Sequence, residues 1–138
     1  MIELANSEAK LRDCFPVILQ LRPHLELNTF IEQVAVQAMA GYQIAGLTAD
    51  DHVVAVAGFR ITHSLAWGRF LYVDDLVTDI DQRSKGYGKQ LLHWLIDYAK
   101  QNECIELHLD SGLQRIDAHR FYEREGMIKT GYHYSLAL

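Results

Sequence analysis

Between Asp81 and Lys89 the chain reads Asp-Gln-Arg-Ser-Lys-Gly-Tyr-Gly-Lys, a set of residue types suited to holding a phosphorylated ligand. Gly86 and Gly88 carry no Cβ, so the backbone there turns tightly and lets anionic oxygens approach its amides. Arg83, Lys85 and Lys89 put three cations into seven residues of a chain whose formal net charge is -5, and each can make charge-assisted hydrogen bonds to phosphate. The segment follows a β-patterned run and opens a helical one, so free N–H groups and the positive helix end converge on it. A charged loop that merely caps a core helix has the same local composition.

The spacing excludes two familiar phosphate sites. A P-loop requires Ser or Thr after its Gly-Lys pair and an earlier glycine, but Gln90 follows Lys89 and Arg83 holds the earlier position. A dinucleotide fingerprint places its third glycine at Leu91, and Glu103 or Glu106 only loosely matches the acidic residue expected about twenty positions on.

The elements that must position this loop follow from periodicity. Ile2–Leu4 reads as a short strand. A helix follows after Asn6 and Ser7, with Leu11, Phe15, Ile18, Leu19 and Leu21 inward, kinked or split at Pro16 and ended by Pro23. A second helix is expected from a cap near Asn28 to Gly41. Tyr42–Leu47 and His52–His63 form a hairpin around Ala49-Asp50-Asp51, and Trp67–Thr78 is a further strand. Gly88–Gln101 is an amphipathic helix with Leu91, Leu92, Leu95, Ile96 and Ala99 inward. Cys104–Asp110 alternates like a half-buried strand, Ile116–Glu125 is a short helix closed by Gly126, and Gly131–Leu138 is a final strand.

At 138 residues, 49% hydrophobic and 22% charged, the chain suits one α/β domain spanning residues 1–138. The acidic balance argues against nucleic acid as a partner, and no apolar run is long enough for a membrane span. A soluble, cytoplasmic protein is expected. Cys14 and Cys104 lack the spacing of a zinc site or redox dithiol, so two reduced, partly buried thiols are expected. His63, His108, His119 and His133 show no metal-ligand spacing, and no metal is expected.

Arg83-Ser84-Lys85-Gly86-Tyr87-Gly88 resembles the hallmark of the GNAT superfamily of N-acetyltransferases: Arg or Gln, two residues, Gly, one residue, then Gly or Ala. Tyr72–Thr78 looks like the family's fourth strand and Ala118–Met127 like its last conserved helix. The resemblance runs from about residue 42 to the end. It implies the GNAT fold, a mixed, mostly antiparallel sheet of six to seven strands flanked by about four helices, and acetyl-CoA as acyl donor. Carried over by position, Leu76, Val77 and Thr78 meet the pantetheine arm. The backbone from Ser84 through Lys85, Gly86, Tyr87 and Gly88 to Lys89 meets the pyrophosphate, with Arg83 adding charge.

Acetyl transfer needs an unprotonated amine and a proton for the departing thiolate. The resemblance favours Asp74, where polyamine-type members carry an acidic residue, and it leaves two roles open, accepting the amine proton or orienting a cationic amine. Neighbouring strand residues point to opposite faces, so Asp75 is expected to be structural, bonded to nearby backbone N–H groups. Tyr122 stands at the family's tyrosine near the cofactor sulfur. Its phenol, of pKa about 10, can protonate a thiolate whose conjugate acid lies near about 8.5, or it packs in the core beside Phe121. Arg115 replaces the Asn that many members carry there and could contact phosphate or sit on the surface. The first two helices and the Leu21–Phe30 segment border the acceptor in the family. The expected function is therefore direct transfer from acetyl-CoA to a small-molecule or peptide amine in a ternary complex. The alternative is a catalytically silent acyl-CoA-binding regulatory module. Many relatives dimerise, and the Tyr132–Leu138 strand allows a homodimer.

Overall fold

Ser7 accepts a hydrogen bond from the Lys10 backbone N–H at 3.3 Å and so starts helix α1 (Glu8–Leu21) as a serine N-cap does. In the computed structural model, which describes residues 1–138, Pro16 lies inside one continuous helix and does not split it. One backbone hydrogen bond is lost, but α1 buries Cys14, Val17 and Ile18, and tertiary packing of that face outweighs the missing donor. Helix α2 spans Leu27–Ala38. Its cap is Glu26, not Asn28: the Glu26 N–H donates to the Thr29 hydroxyl at 3.3 Å, and that hydroxyl donates to the Glu26 carbonyl at 2.9 Å.

Strands β1 (Ile2–Leu4), β2 (Tyr42–Ala49), β3 (His52–Ser64), β4 (Gly68–Thr78) and β5 (Glu106–Leu109) lie side by side in that order. The first three pairings, β1 to β4, are antiparallel. The β2–β3 hairpin closes on Asp50 and Asp51, at φ 51° and 64°, the tight turn whose left-handed pair matches strand twist. Strand β5 starts at Glu106, two residues later than the alternation predicts. The Ile105 N–H donates to the Arg69 carbonyl at 2.8 Å, which sets β5 beside the start of β4. Four residues cannot cover an eleven-residue strand, so the far end of β4, Leu76–Thr78, lies beyond their reach.

Helices cover both faces of the sheet. Cys14, Val17 and Ile18 of α1 and Phe30 of α2 pack with Tyr42, Ile44, Val56 and Val77 on one face. On the other, Phe59 meets Trp94 and Tyr98 of helix α3 (Tyr87–Gln101) edge-on, at 6.1 and 5.3 Å between centroids. Coverage on both sides is why Val54–Phe59 is buried without alternation.

The chain divides into two compact units, Met1–His108 and Leu109–Leu138. The second carries helix α4 (Ile116–Arg124), closed by Gly126 at φ 89°, where the Met127 N–H caps the Tyr122 carbonyl at 3.0 Å. Gly131–Leu138 forms no strand. Its alternation of Tyr132, Tyr134, Leu136 and Leu138 fits one, but a strand exists only through a partner's hydrogen bonds, and these four side chains are exposed. The sheet therefore has five strands in place of six to seven. Cys14 is buried, Cys104 partly so, and both are free.

Candidate active site

Strand β4 does not keep its alternation. Gly58 of β3 pairs with Asp75 and Phe59 with Val73, so Asp74 is an extra residue, a bulge. A bulge leaves one residue unpaired and re-aims its side chain. Asp74 and Asp75 consequently line the same cleft, against the expectation that only one could face it. The cleft measures about 650 Å³, and its other walls include Arg22, His24, Thr29, Gln33, Gln37 and Tyr42. Part of the Leu21–Phe30 segment, which the family resemblance set beside the acceptor, thus borders it.

The two carboxylates have different surroundings. Asp75 is held at both oxygens: Arg22 Nε donates to Oδ1 at 3.0 Å and the Tyr42 hydroxyl donates to Oδ2 at 2.6 Å. Its partners are side chains, not the backbone N–H groups expected. A Cβ at position 58 would lie 2.6 Å from Asp75 Oδ2 and would overlap the Tyr42 hydroxyl, so glycine is required where these groups meet. Burial, then the charge of Asp75, pushes the Tyr42 phenol far above its ordinary pKa, so it remains a donor.

Asp74 accepts from Arg60 Nε at 3.1 and 3.3 Å and is the more exposed of the pair, 24% against 13% for the side chains. Burial raises its pKa above the ordinary carboxylate value, and Arg60 only partly offsets the effect. A carboxylate that is open to the cleft, with its pKa moved towards neutrality, is suited to proton transfer. Arg60 also lies over the Tyr72 ring at 5.0 Å, which fixes its guanidinium beside Asp74.

Downstream of the carboxylates, β4 presents Leu76 and Thr78 partly exposed, while the Val77 side chain is buried. The loop after them is anchored: the Asp79 N–H donates to the Val54 carbonyl at 2.8 Å, and the Ile80 N–H to the Gln20 side chain at 2.9 Å. Ser84 and Gly86 take left-handed φ values of 66° and 82°. Gly86 is the α3 N-cap and offers no side chain to the first-turn amides. Nothing stands within 4 Å of where its Cβ would be. The first turn of a 15-residue helix is thus open to an anion. Arg83, Lys85 and Lys89 are exposed along it, and Lys85 Nζ donates to Gln82 Oε1 at 2.8 Å. These residues fit a pyrophosphate-bearing acyl donor.

Tyr122 belongs to the second unit, on α4, with its ring 5.4 Å from that of Phe121. Burial raises its pKa, Arg115 opposing, so the phenol is protonated at neutral pH and has a proton to give. Arg115 is the exposed N-cap of α4.

Sequence reasoning missed Arg22, Tyr42, Gly58, Arg60 and Gln20. Each acts through a partner 14 to 60 positions away or, for Gly58, through the strand register, and no local pattern carries that. No group of three His, Cys, Asp or Glu side chains is arranged to hold a metal, and no helix is long and apolar enough to cross a membrane.

The chain resembles known proteins. Residues 8–127 match the acetyltransferase (GNAT) family. An uncharacterized N-acetyltransferase, YhdJ of Bacillus subtilis (strain 168), is 35% identical over 118 residues, which is 85% of this chain and 83% of that one. An aminoalkylphosphonate N-acetyltransferase of Salmonella typhimurium (strain LT2) is 35% identical over 66 residues, 48% of this chain and 43% of that one. Among solved structures, the aminoglycoside N-acetyltransferase AAC(6')-Iy in complex with CoA superimposes with a TM-score of 0.85 at 15% identity, over 100% of this chain and 95% of that one.

Proposed function

Because the chain belongs to the GNAT acetyltransferase family and is therefore an acyltransferase, we propose that it moves an acetyl group from acetyl-CoA to a primary amine by direct attack in a ternary complex. The carrying observation is the course of β4, in which a cleft carboxylate at Asp74, a strand end at Leu76–Thr78 and an uncapped helix N-terminus follow one another. From Asp74 to Thr78 is about 13 Å of strand, a track for a linear arm between an acceptor cleft and an anion site.

Acetyl-CoA supplies the activated acyl group. The backbone amides from Ser84 to Lys89 and the charge of Arg83 hold its pyrophosphate, and the backbone of Leu76, Val77 and Thr78 pairs with its arm. Asp74 takes the proton from the acceptor ammonium and leaves the nitrogen lone pair free to form the new C–N bond. Tyr122 donates its phenolic proton to the sulfur as the C–S bond breaks, and the surplus proton of the acylated nitrogen leaves to restore the phenol, so that a neutral amide and free CoA thiol result. In this reading residues 1–138 act as one acetyltransferase domain, and two copies associate through the exposed, strand-patterned C-terminal segment.

The test is thiol release from acetyl-CoA across an amine panel. Turnover with at least one amine class is expected, and Tyr122→Phe should lower kcat by about a hundredfold while acetyl-CoA affinity stays within about twofold, since the donor's phosphates are held elsewhere. Unchanged turnover in Tyr122→Phe would remove the acid role. Acetyl-CoA binding with no thiol release for any amine would mark a silent module.

A further inference from the structure

The acceptor cleft holds two carboxylates, but it is not an acidic pocket. Each carboxylate is matched by an arginine, Asp75 by Arg22 and Asp74 by Arg60. The matching leaves one open group of each sign. Asp75 has both oxygens committed, whereas Asp74 meets a single donor atom, Arg60 Nε, and keeps lone pairs for a ligand. Arg22 spends Nε on Asp75 and one Nη2 hydrogen on the Asp74 carbonyl at 3.1 Å. Arg22 lines the cleft with a side chain 41% exposed, and the rest of its fork is not spent on these two bonds. That guanidinium is bonded to the backbone of the very residue whose carboxylate is open, and both residues line the one cleft.

We infer that the acceptor is a zwitterion, a primary amine carrying a carboxylate or phosphonate a few bonds away, and that Arg22 selects it by binding the anionic group. This rests on the acetyl-transfer reading. The amine meets Asp74 and the anion meets the Nη face of Arg22, which provides parallel N–H donors suited to a carboxylate or phosphonate oxygen pair. A diamine would put its second cation against Arg22. A plain alkylamine would leave that guanidinium with no partner inside the cleft. Gln33 and Gln37, four residues apart on α2 and lining the same cleft, offer neutral donors and acceptors to the remainder of such a molecule.

The experiment compares four amines of similar length, propylamine, 1,3-diaminopropane, 3-aminopropionate and 2-aminoethylphosphonate, by kcat/KM at saturating acetyl-CoA and by calorimetric binding to the CoA-saturated protein. At least one zwitterion is expected to exceed both propylamine and the diamine by about tenfold or more. Arg22→Gln should bring the ratio of that zwitterion to propylamine towards unity, and Arg22→Lys should retain part of it. The ratio is the decisive quantity, because a purely structural Arg22 would lower all four amines together and leave the ratio intact, which overturns the inference. So would a diamine or propylamine that matches the zwitterions in the wild type. Should no amine turn over, the same ratios read from binding still decide the matter, and the failure then falls on acetyl transfer alone.

Discussion

At the scale of single residues, the difference between Asp74 and Asp75 rests on committed lone pairs. Both line the cleft, but Asp75 is fully engaged by Arg22 and Tyr42, so the proton transfer we propose is assigned to Asp74. Its raised pKa gives the pH dependence a sign. Above that pKa Asp74 is ionised and can accept the amine proton, and as pH falls through it the base is lost. The acidic limb of kcat/KM should therefore lie above the ordinary carboxylate range. In Asp74→Asn, kcat/KM should drop by about a hundredfold and that limb should vanish from the profile; a limb that persists assigns the titration elsewhere. Linkage runs in the opposite direction: a carboxyl raised in the folded state favours folding below its unfolded pKa, and this contribution is lost as pH rises through the folded value. Asp74 was legible in the sequence because Tyr72–Thr78 resembles a known strand. The partners that distinguish it from Asp75 were not, since Arg22 and Tyr42 lie 53 and 33 positions from Asp75.

At the scale of elements, the bulge in β4 is the device that builds the cleft. Alternation read from sequence sends adjacent residues to opposite faces, and that rule holds from Val56 to Phe59 of β3, where Val56 meets the α1 side and Phe59 the α3 side. It fails at Asp74 because one extra residue in β4 shifts the register, and a register shift is a property of two strands together. Gly58 shows the dependence. Its missing Cβ leaves room for the Tyr42 hydroxyl and Asp75, so Gly58→Ala should cost about 1–3 kcal/mol by overpacking. Tyr42→Phe should cost a similar amount, about 1–3 kcal/mol, by leaving one Asp75 oxygen without its partner. The two changes act on one hydrogen bond, so the double variant should fall short of the sum when measured by urea unfolding. Strict additivity would mean that Gly58 serves some other packing need. The anion loop was more legible: Gly86 and Gly88 with their flanking cations announce themselves locally, and the structure adds that Ser84 and Gly86 are left-handed, that Gly86 caps α3 and that Val54 and Gln20 anchor the approach to the loop.

At the scale of the molecule, the order of strands and helices was readable because each is fixed by its own periodicity, while the final strand was misread for want of a partner. Tyr132, Tyr134, Leu136 and Leu138 alternate correctly, yet they are 80%, 89%, 83% and 116% exposed, and no ladder pairs their backbone. Four large exposed side chains in an unpaired segment are costly in water, at about 25 cal/mol for each Å² of apolar surface left uncovered, and an unpaired, strand-patterned segment can pair with another chain. A second copy supplies an identical segment, which a two-fold axis can align antiparallel. Light scattering across a concentration series should therefore give twice the chain mass, and removal of residues 132–138 should return the single-chain mass while the circular dichroism of the remaining helices is retained. A full-length protein that stays monomeric at about 100 μM, well above the midpoint of a micromolar association, would mean that these side chains are tolerated in water and that the proposed dimer does not form through them.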